Sequence, residues 1–135
     1  MIKENMKKQE KKEVDLSLQE IQADNSILLK KARRPSDVQI AQIQKRDGEI
    51  VKFDISAIER AVFKSMEAVN EGTQNEAALI AKKVLEDLTE IAVRYKNFVP
   101  DVEGIQNAVE RELMANGYMN SAKAYILYRE KRKAL

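Results

Sequence analysis

Residues 43–58 read Ile43-Gln44-Lys45-Arg46-Asp47-Gly48-Glu49-Ile50-Val51-Lys52-Phe53-Asp54-Ile55-Ser56-Ala57-Ile58. Asp47-Gly48 between two strand-like runs is a hairpin turn signal, because glycine takes a positive φ without a Cβ clash. Beyond the turn, Val51, Phe53 and Ile55 alternate with Lys52 and Asp54, the period of a half-buried strand. Ahead of it, residues 39–46 form an extended segment with Ala41 and Ile43 on one face. The pattern predicts a two-stranded hairpin over residues 39–54. A lone hairpin is marginal in water, so it must lie on helices. Asp54 and Ser56 each offer a helix cap, and Ser56 with Glu59 makes an S-x-x-E capping box.

Outward from that stretch the apolar period changes from two to 3.6. A first helix, about 57–70, places Ile58, Ala61, Val62, Ser65, Met66 and Val69 on one face, and Asn70-Glu71-Gly72-Thr73 ends it. A second, about 74–93, carries Ala77, Ile80, Ala81, Val84, Leu88 and Ile91. Pro100 then breaks the chain and Asp101 caps a third helix, about 102–115, with Ile105, Ala108, Val109 and Leu113. Asn116-Gly117 is its stop signal. Ser121, with Asn120 as a rival, caps a fourth helix that runs to the end and carries Ala122, Tyr125, Ile126 and Tyr128. One hairpin followed by four helices is an α+β, mostly α, fold.

The other flank differs. Residues 1–37 hold nine basic and seven acidic side chains, whereas 38–135 hold fifteen of each. The first thirteen residues, with five Lys and three Glu, have little to bury and read as disordered. Leu18, Ile21 and Leu28 predict a short helix within 14–32, with Asn25 interrupting its stripe, and Arg33 to Asp37 reads as a linker. The chain is therefore expected to divide into a charged extension, 1–37, and a folded domain, 38–135. No apolar run approaches the roughly 20 residues of a membrane span, and the charged N-terminus has no apolar stretch behind it, so a cytoplasmic location is expected.

Composition removes most catalytic chemistry. The 135 residues contain 0 Cys, 0 His and 0 Trp. That excludes a thiol nucleophile, a thiyl radical, a Cys/His zinc site and any imidazole base. The glycines, at 48, 72, 104 and 117, make no phosphate-binding loop, and the carboxylates form no D-x-D ligand pattern. The expectation is a protein that is not an enzyme and has no metal site of its own, any Mg²⁺ arriving only with a nucleotide.

Three constellations remain. Lys45-Arg46 beside the tight turn can grip a polyphosphate through charge-assisted hydrogen bonds, although such pairs also serve only to keep a hairpin tip soluble. The start of the first helix, residues 54–60 with Arg60, offers free N–H groups to an anion, or is an ordinary capped helix. The last helix sets Lys123, Arg129, Lys131, Arg132 and Lys133 against Glu130, which suits either a phosphate surface or the negative end of the helix dipole. Tyr125 and Tyr128 read as core or boundary residues rather than base-stacking platforms. A net charge of +2 for the chain does not call for a nucleic-acid partner.

Ile43 to Gly48, then Val51-Lys52-Phe53-Asp54 with Ile58 and Ala61, resembles the opening of the ATP-cone, a nucleotide-sensing domain at the N-terminus of many ribonucleotide reductases. Val102-Glu103-Gly104-Ile105-Gln106 with Val109, Leu113 and Gly117, and Ser121 to Arg129 with Arg132, are similar to that family too, so the likeness covers roughly residues 40–133. The resemblance implies a small β-hairpin lid over a four-helix bundle, with ATP or dATP under the hairpin. Ile43 would line the base side, and Lys45 and Arg46 would meet phosphates. Val51, Lys52, Phe53, Asp54, Ile55, Ser56 and Ala57 would wrap ribose and phosphates, with Arg60 nearby. Lys131, or Arg129 or Arg132, would close the phosphate site. Many cones carry Lys where this chain has Ala57, and Arg60 or Lys64 on the next turns are the cations placed to compensate.

The resemblance further implies control of a ribonucleotide reductase, through its catalytic or radical-generating subunit, by changed assembly, homo-oligomers included. Reductase chemistry needs active-site cysteines, which this chain lacks. Two alternatives stand beside this reading. One is a helical interaction module that has lost its nucleotide, as Ala57 would allow. The other is a nucleotide-dependent transcriptional regulator, whose family puts a Cys-rich zinc ribbon ahead of the cone where residues 1–37 have no Cys.

Overall fold

The computed structural model describes residues 34–133. The expected disorder of residues 1–13 and the short helix within 14–32 lie outside the described residues. A 3₁₀ turn at Pro35–Asp37 is closed by an Arg34–Asp37 ion pair at 3.3 Å. From Val38 onward the chain is one compact unit. It consists of strands β1 (Gln42–Gln44) and β2 (Ile50–Lys52) and helices α1 (Ile55–Ala68), α2 (Gln74–Arg94), α3 (Val102–Ala115) and α4 (Met119–Lys133). α1 packs on α2 and α4, and α3 packs on the same two, so the helices close into an up-down bundle. Mostly helix with one small antiparallel sheet is the architecture expected from the sequence.

The apolar stripes meet at the centre. Ala77, Ile80, Ala81, Val84, Leu88 and Ala92 recur at helical spacing along α2 and are all buried. Val62 and Met66 of α1, Val109 and Leu113 of α3, and Ala122 and Tyr125 of α4 face them. Burying such side chains contributes about 1.5–3 kcal/mol each for the large ones. Helices this short are marginal without that packing.

The hairpin is shorter than its sequence pattern. Ile43 pairs with Val51, and the ladder is flanked by Gln42↔Lys52 and Gln44↔Ile50. Gly48, at φ 89, donates its N–H to the Lys45 carbonyl while the Lys45 N–H bonds Glu49, giving a three-residue loop with a glycine bulge. β1 also turns its other edge to the chain before α3. Gln44 N–H donates to the Pro100 carbonyl at 2.9 Å, in a parallel bridge with Asp101. Val51, Phe53 and Ile55 are half-buried and Lys52 and Asp54 exposed, as the alternation requires.

Two expected caps are corrected. Asp54 alone caps α1, accepting from Ser56 N–H at 3.0 Å, and Ser56 lies inside the first turn. Glu59 does not complete a box but accepts from Gln74 Nε2 at 3.5 Å. The capping box occurs instead at α2, where Thr73 and Glu76 bond reciprocally. α4 begins at Met119, two residues ahead of Ser121, and Ser121 is wholly buried. Its cap is Glu71, whose carboxylate accepts from Ser121 N–H at 2.9 Å and Asn120 N–H at 3.2 Å. Those bonds, the Ser121 N–H foremost, hold the Glu71 carboxyl below its usual range. Glu71 reaches there because α1 ends on Asn70, at φ 51, with Glu71 N–H returned to the Met66 carbonyl.

α3 ends the same way on Gly117, at φ 86, with Tyr118 N–H on the Leu113 carbonyl at 2.8 Å. A Cβ at Gly117 would meet no atom within 4 Å, so Gly117→Ala carries only the backbone cost of the left-handed conformation. Thermal unfolding should show a loss of about 1–2 kcal/mol, and an unchanged melting curve would contradict this helix end.

α2 and α3 also hold a titratable pair. Burial foremost, then a hydrogen bond to Glu112 and its charge, push the Asp87 carboxyl up to about 6. An acid whose folded value is raised binds protons more tightly when folded. Its contribution is complete below the unfolded value near 3.9 and is lost as pH rises through about 6. Asp87→Asn should therefore flatten the stability profile between pH 4 and 7. It should also raise stability at pH 7.5 by up to about 1 kcal/mol, allowing for solvent screening. Denaturant melts across that range test both effects.

Candidate nucleotide site

The hairpin leaves a cavity between itself, the start of α1, the start of α3 and the end of α4. Its volume is about 850 Å³, within the range of small-molecule sites. Topology places it there. α1 and α3 begin at the hairpin end of the bundle, and α4, antiparallel to both, finishes there. One wall is apolar: Ile43 of β1, Phe53 after β2, Ala57, Ile58 and Ala61 of α1, and Val102 and Ile105 of α3. Ala57 and Ala61 are small and one turn apart, which leaves the face of α1 open. Buried Tyr125 forms the floor, with its hydroxyl pushed up to about 12 by burial, so it stays neutral.

Cations ring that wall. Lys45, Arg46, Lys52, Arg60, Lys64 and Arg132 face it, against only Asp47 and Asp54. Lys45 Nζ lies 3.6 Å from Glu49, and Arg60 Nη2 lies 3.6 Å from Asp54. Arg46 reaches α3, with Nε 4.0 Å from Glu103 and Nη2 donating to Gln106 Oε1 at 3.3 Å. Asp47 serves the turn, accepting from Glu49 N–H at 2.9 Å. Arg132 Nη1 donates to the Tyr128 hydroxyl at 2.9 Å. The ion pairs are exposed and individually worth under about 1 kcal/mol, so a stronger anion can displace them. No group of three or more Asp, Glu, His or Cys side chains able to hold a metal occurs among the described residues. The chemistry available is binding of a polyanion joined to an apolar or planar group.

The structure gathers Ile43, Lys45, Arg46, Lys52, Phe53, Asp54, Ala57, Arg60 and Arg132 of the residues marked in the sequence. Val51 and Ile55 are half-buried outside the lining, and Ser56 gives its N–H to Asp54. Arg129 also lies outside the lining, bound to Glu110 at 2.7 Å and Asn107 at 2.8 Å, and Lys131 is exposed. Lys64, named in the sequence as a substitute for the charge absent at Ala57, lines it too, and the lining adds Asp47, Ile58, Ala61, Val102, Ile105, Gln106, Tyr125 and Tyr128. Spacing could have found the α1 members, because 57, 61 and 64 share a helical face. The α3 members are brought in only by tertiary packing.

The family model described as ATP cone domain matches residues 41–134. The chain is 39% identical over 101 residues to the vitamin B12-dependent ribonucleoside-diphosphate reductase of Thermoplasma acidophilum, covering 71% of this chain and 12% of that protein. It is 33% identical over 110 residues to the ribonucleoside-diphosphate reductase subunit alpha of Chlamydia pneumoniae, covering 76% and 10%. It is 38% identical over 88 residues to the anaerobic ribonucleoside-triphosphate reductase of Haemophilus influenzae, covering 65% and 12%. The chain thus spans only 10–12% of the length of these relatives.

Proposed function

Because this chain belongs to the ATP-cone family, we propose that its cavity binds ATP or dATP and that occupancy regulates a ribonucleotide reductase. The observation that carries this reading is the cavity itself: six cations around one apolar wall, under a hairpin and at a helix start. The base lies against Ile43 and Phe53. The phosphates extend along α1 among the cations, bringing Mg²⁺ with them. Val51, Ile55 and Ser56 support the wall through backbone position, while Arg129 and Lys131 sit beside it.

The role is regulatory rather than catalytic. The sequence supplies no Cys for radical chemistry and no imidazole. A ligand shifts an association equilibrium only by its difference in affinity for the two states. The partner is the reductase's catalytic or radical-generating subunit, or a further copy of the chain, in the cytoplasm. Among the described residues no helix is long and apolar enough to cross a membrane. Residues 1–37 act as an extension outside the nucleotide-binding domain, 38–135.

Calorimetric titration with ATP and with dATP, with and without Mg²⁺, tests the reading while light scattering follows size. Saturable heat with preference for one nucleotide, together with a change of size, is expected. No heat with either nucleotide would leave a helical interaction module as the better description.

A further inference from the structure

The hairpin joins two helices at opposite corners of the bundle. α1 and α3 each pack chiefly on α2 and α4. β2 runs into α1 through Asp54, whereas β1 is tied to the start of α3. Two bonds make that second tie. The inner one is backbone, from Gln44 N–H to the Pro100 carbonyl at 2.9 Å. The outer one is a side chain two residues further on. Arg46 lies with Nε 4.0 Å from Glu103 and donates from Nη2 to Gln106 Oε1 at 3.3 Å. Lys45 and Arg60 are paired differently, with Glu49 on the same hairpin loop and Asp54 at the same helix end. Among the described residues, Arg46 is thus the one cavity cation whose ion pair reaches a remote element. Glu103 itself does not line the cavity, although its neighbours Val102, Ile105 and Gln106 do.

We propose that Glu103 is an autoinhibitory latch: in the empty cavity it holds the hairpin tip to α3 through Arg46, and an incoming polyanion must break that pair to recruit the arginine. This rests on the nucleotide reading above and adds to it a competitor built into the chain. The competitor stands outside the lining, so it acts on the ligand only through the side chain that it holds. Glu103 lies in the first turn of α3, where a negative charge suits the helix dipole, so it keeps its place whether or not Arg46 is bound. The inner tie has no such competitor. A phosphate chain accepts hydrogen bonds and cannot replace the Gln44 N–H at the Pro100 carbonyl. The tip can therefore release while β1 stays on α3. The apparent affinity is the intrinsic one reduced by the unlatched fraction. An exposed ion pair favours its closed state only a few-fold, so the latch sets a threshold for binding and does not block it.

The test is calorimetric titration of the full chain with ATP, for the parent, Glu103→Gln, Arg46→Ala and the double variant. Glu103 is exposed, and glutamine keeps its size while removing its charge, so the core is untouched. Glu103→Gln should bind ATP about two- to fivefold more tightly than the parent. That gain should vanish in the Arg46→Ala background. In the ligand-free protein, the Arg46 Nε–H resonance of Glu103→Gln should move and exchange with water faster than in the parent. Unchanged or weaker ATP binding by Glu103→Gln, an equal gain without Arg46, or an unmoved Arg46 resonance each overturns the latch. A parent that binds no ATP overturns the nucleotide reading itself, whereas a parent that binds ATP no less tightly than Glu103→Gln overturns only the latch.

Discussion

Lys45→Ala combined with Arg46→Ala is expected to weaken ATP binding by about 3–5 kcal/mol, which is hundreds-fold to thousands-fold in Kd. The two side chains project from the hairpin loop into the cavity. Each can offer a charge-assisted hydrogen bond to phosphate worth about 1.5–3 kcal/mol. Their present partners, Glu49 and Glu103, are solvent-exposed, so releasing them costs little. Removing the side chains should also cost the fold little. The ladder of Ile43 with Val51, the Gly48 bulge and the Gln44–Pro100 bond are backbone features. Circular dichroism should show parental helix content and melting temperature while calorimetry shows the affinity collapse. A double variant that binds ATP as the parent does would remove the hairpin from the site.

The second large effect concerns the core. Leu113→Ala is expected to destabilise the domain by about 2–5 kcal/mol. Leu113 is 0% exposed and faces the α2 stripe from the last turn of α3. Its carbonyl also accepts the Tyr118 N–H that closes the helix end. A domain of this size has about 5–15 kcal/mol in total, so the loss is a large part of it. The melting temperature should fall by about 10 °C or more. Leu113 lies outside the cavity lining. Below its melting temperature the variant should therefore bind ATP with parental affinity, and saturating ATP should recover part of the lost stability. A loss of binding in the folded variant would mean that the bundle core and the cavity are not separable.

The bundle was legible in the sequence because its information is local. Ala77, Ile80, Ala81, Val84 and Leu88 announce a buried stripe through their spacing alone, and all five are buried. The Asp47-Gly48 turn and the alternation through Phe53 announced the hairpin in the same way. What was not legible depends on partners far along the chain. The outer edge of β1 bonds Pro100, fifty-six residues from Gln44 by number. α4 starts early because Glu71, delivered by the left-handed Asn70, caps it in place of Ser121. Thr73-x-x-Glu76 carries the same pattern as Ser56-x-x-Glu59, and only the former closes a box, because Asp54 already caps α1.

The candidate site divides along the same line. The hairpin and the face of α1 follow from local pattern, which points to Lys45, Arg46 and Arg60, while Phe53 and Ala57 come from the family resemblance. Which cation of α4 meets the cavity is set by helix rotation against neighbours. Arg129 turns to Glu110 and Asn107 on α3, and Arg132 turns to Tyr128 and the cavity. No spacing rule separates two arginines three residues apart on a basic helix end.

The most direct test of nucleotide binding in this cavity is an NMR titration of the isotopically labelled chain with ATP, following backbone amides and isoleucine methyls. The Tyr118–Glu76 hydrogen bond at the opposite end of the bundle is the internal control. The largest shifts should fall on Ile43, Arg46, Ala57, Ile58, Lys64 and Tyr128, with Glu76 and Tyr118 nearly still. Saturable shifts centred on Glu76 and Tyr118, or none at all around Ala57 and Tyr128, would contradict it.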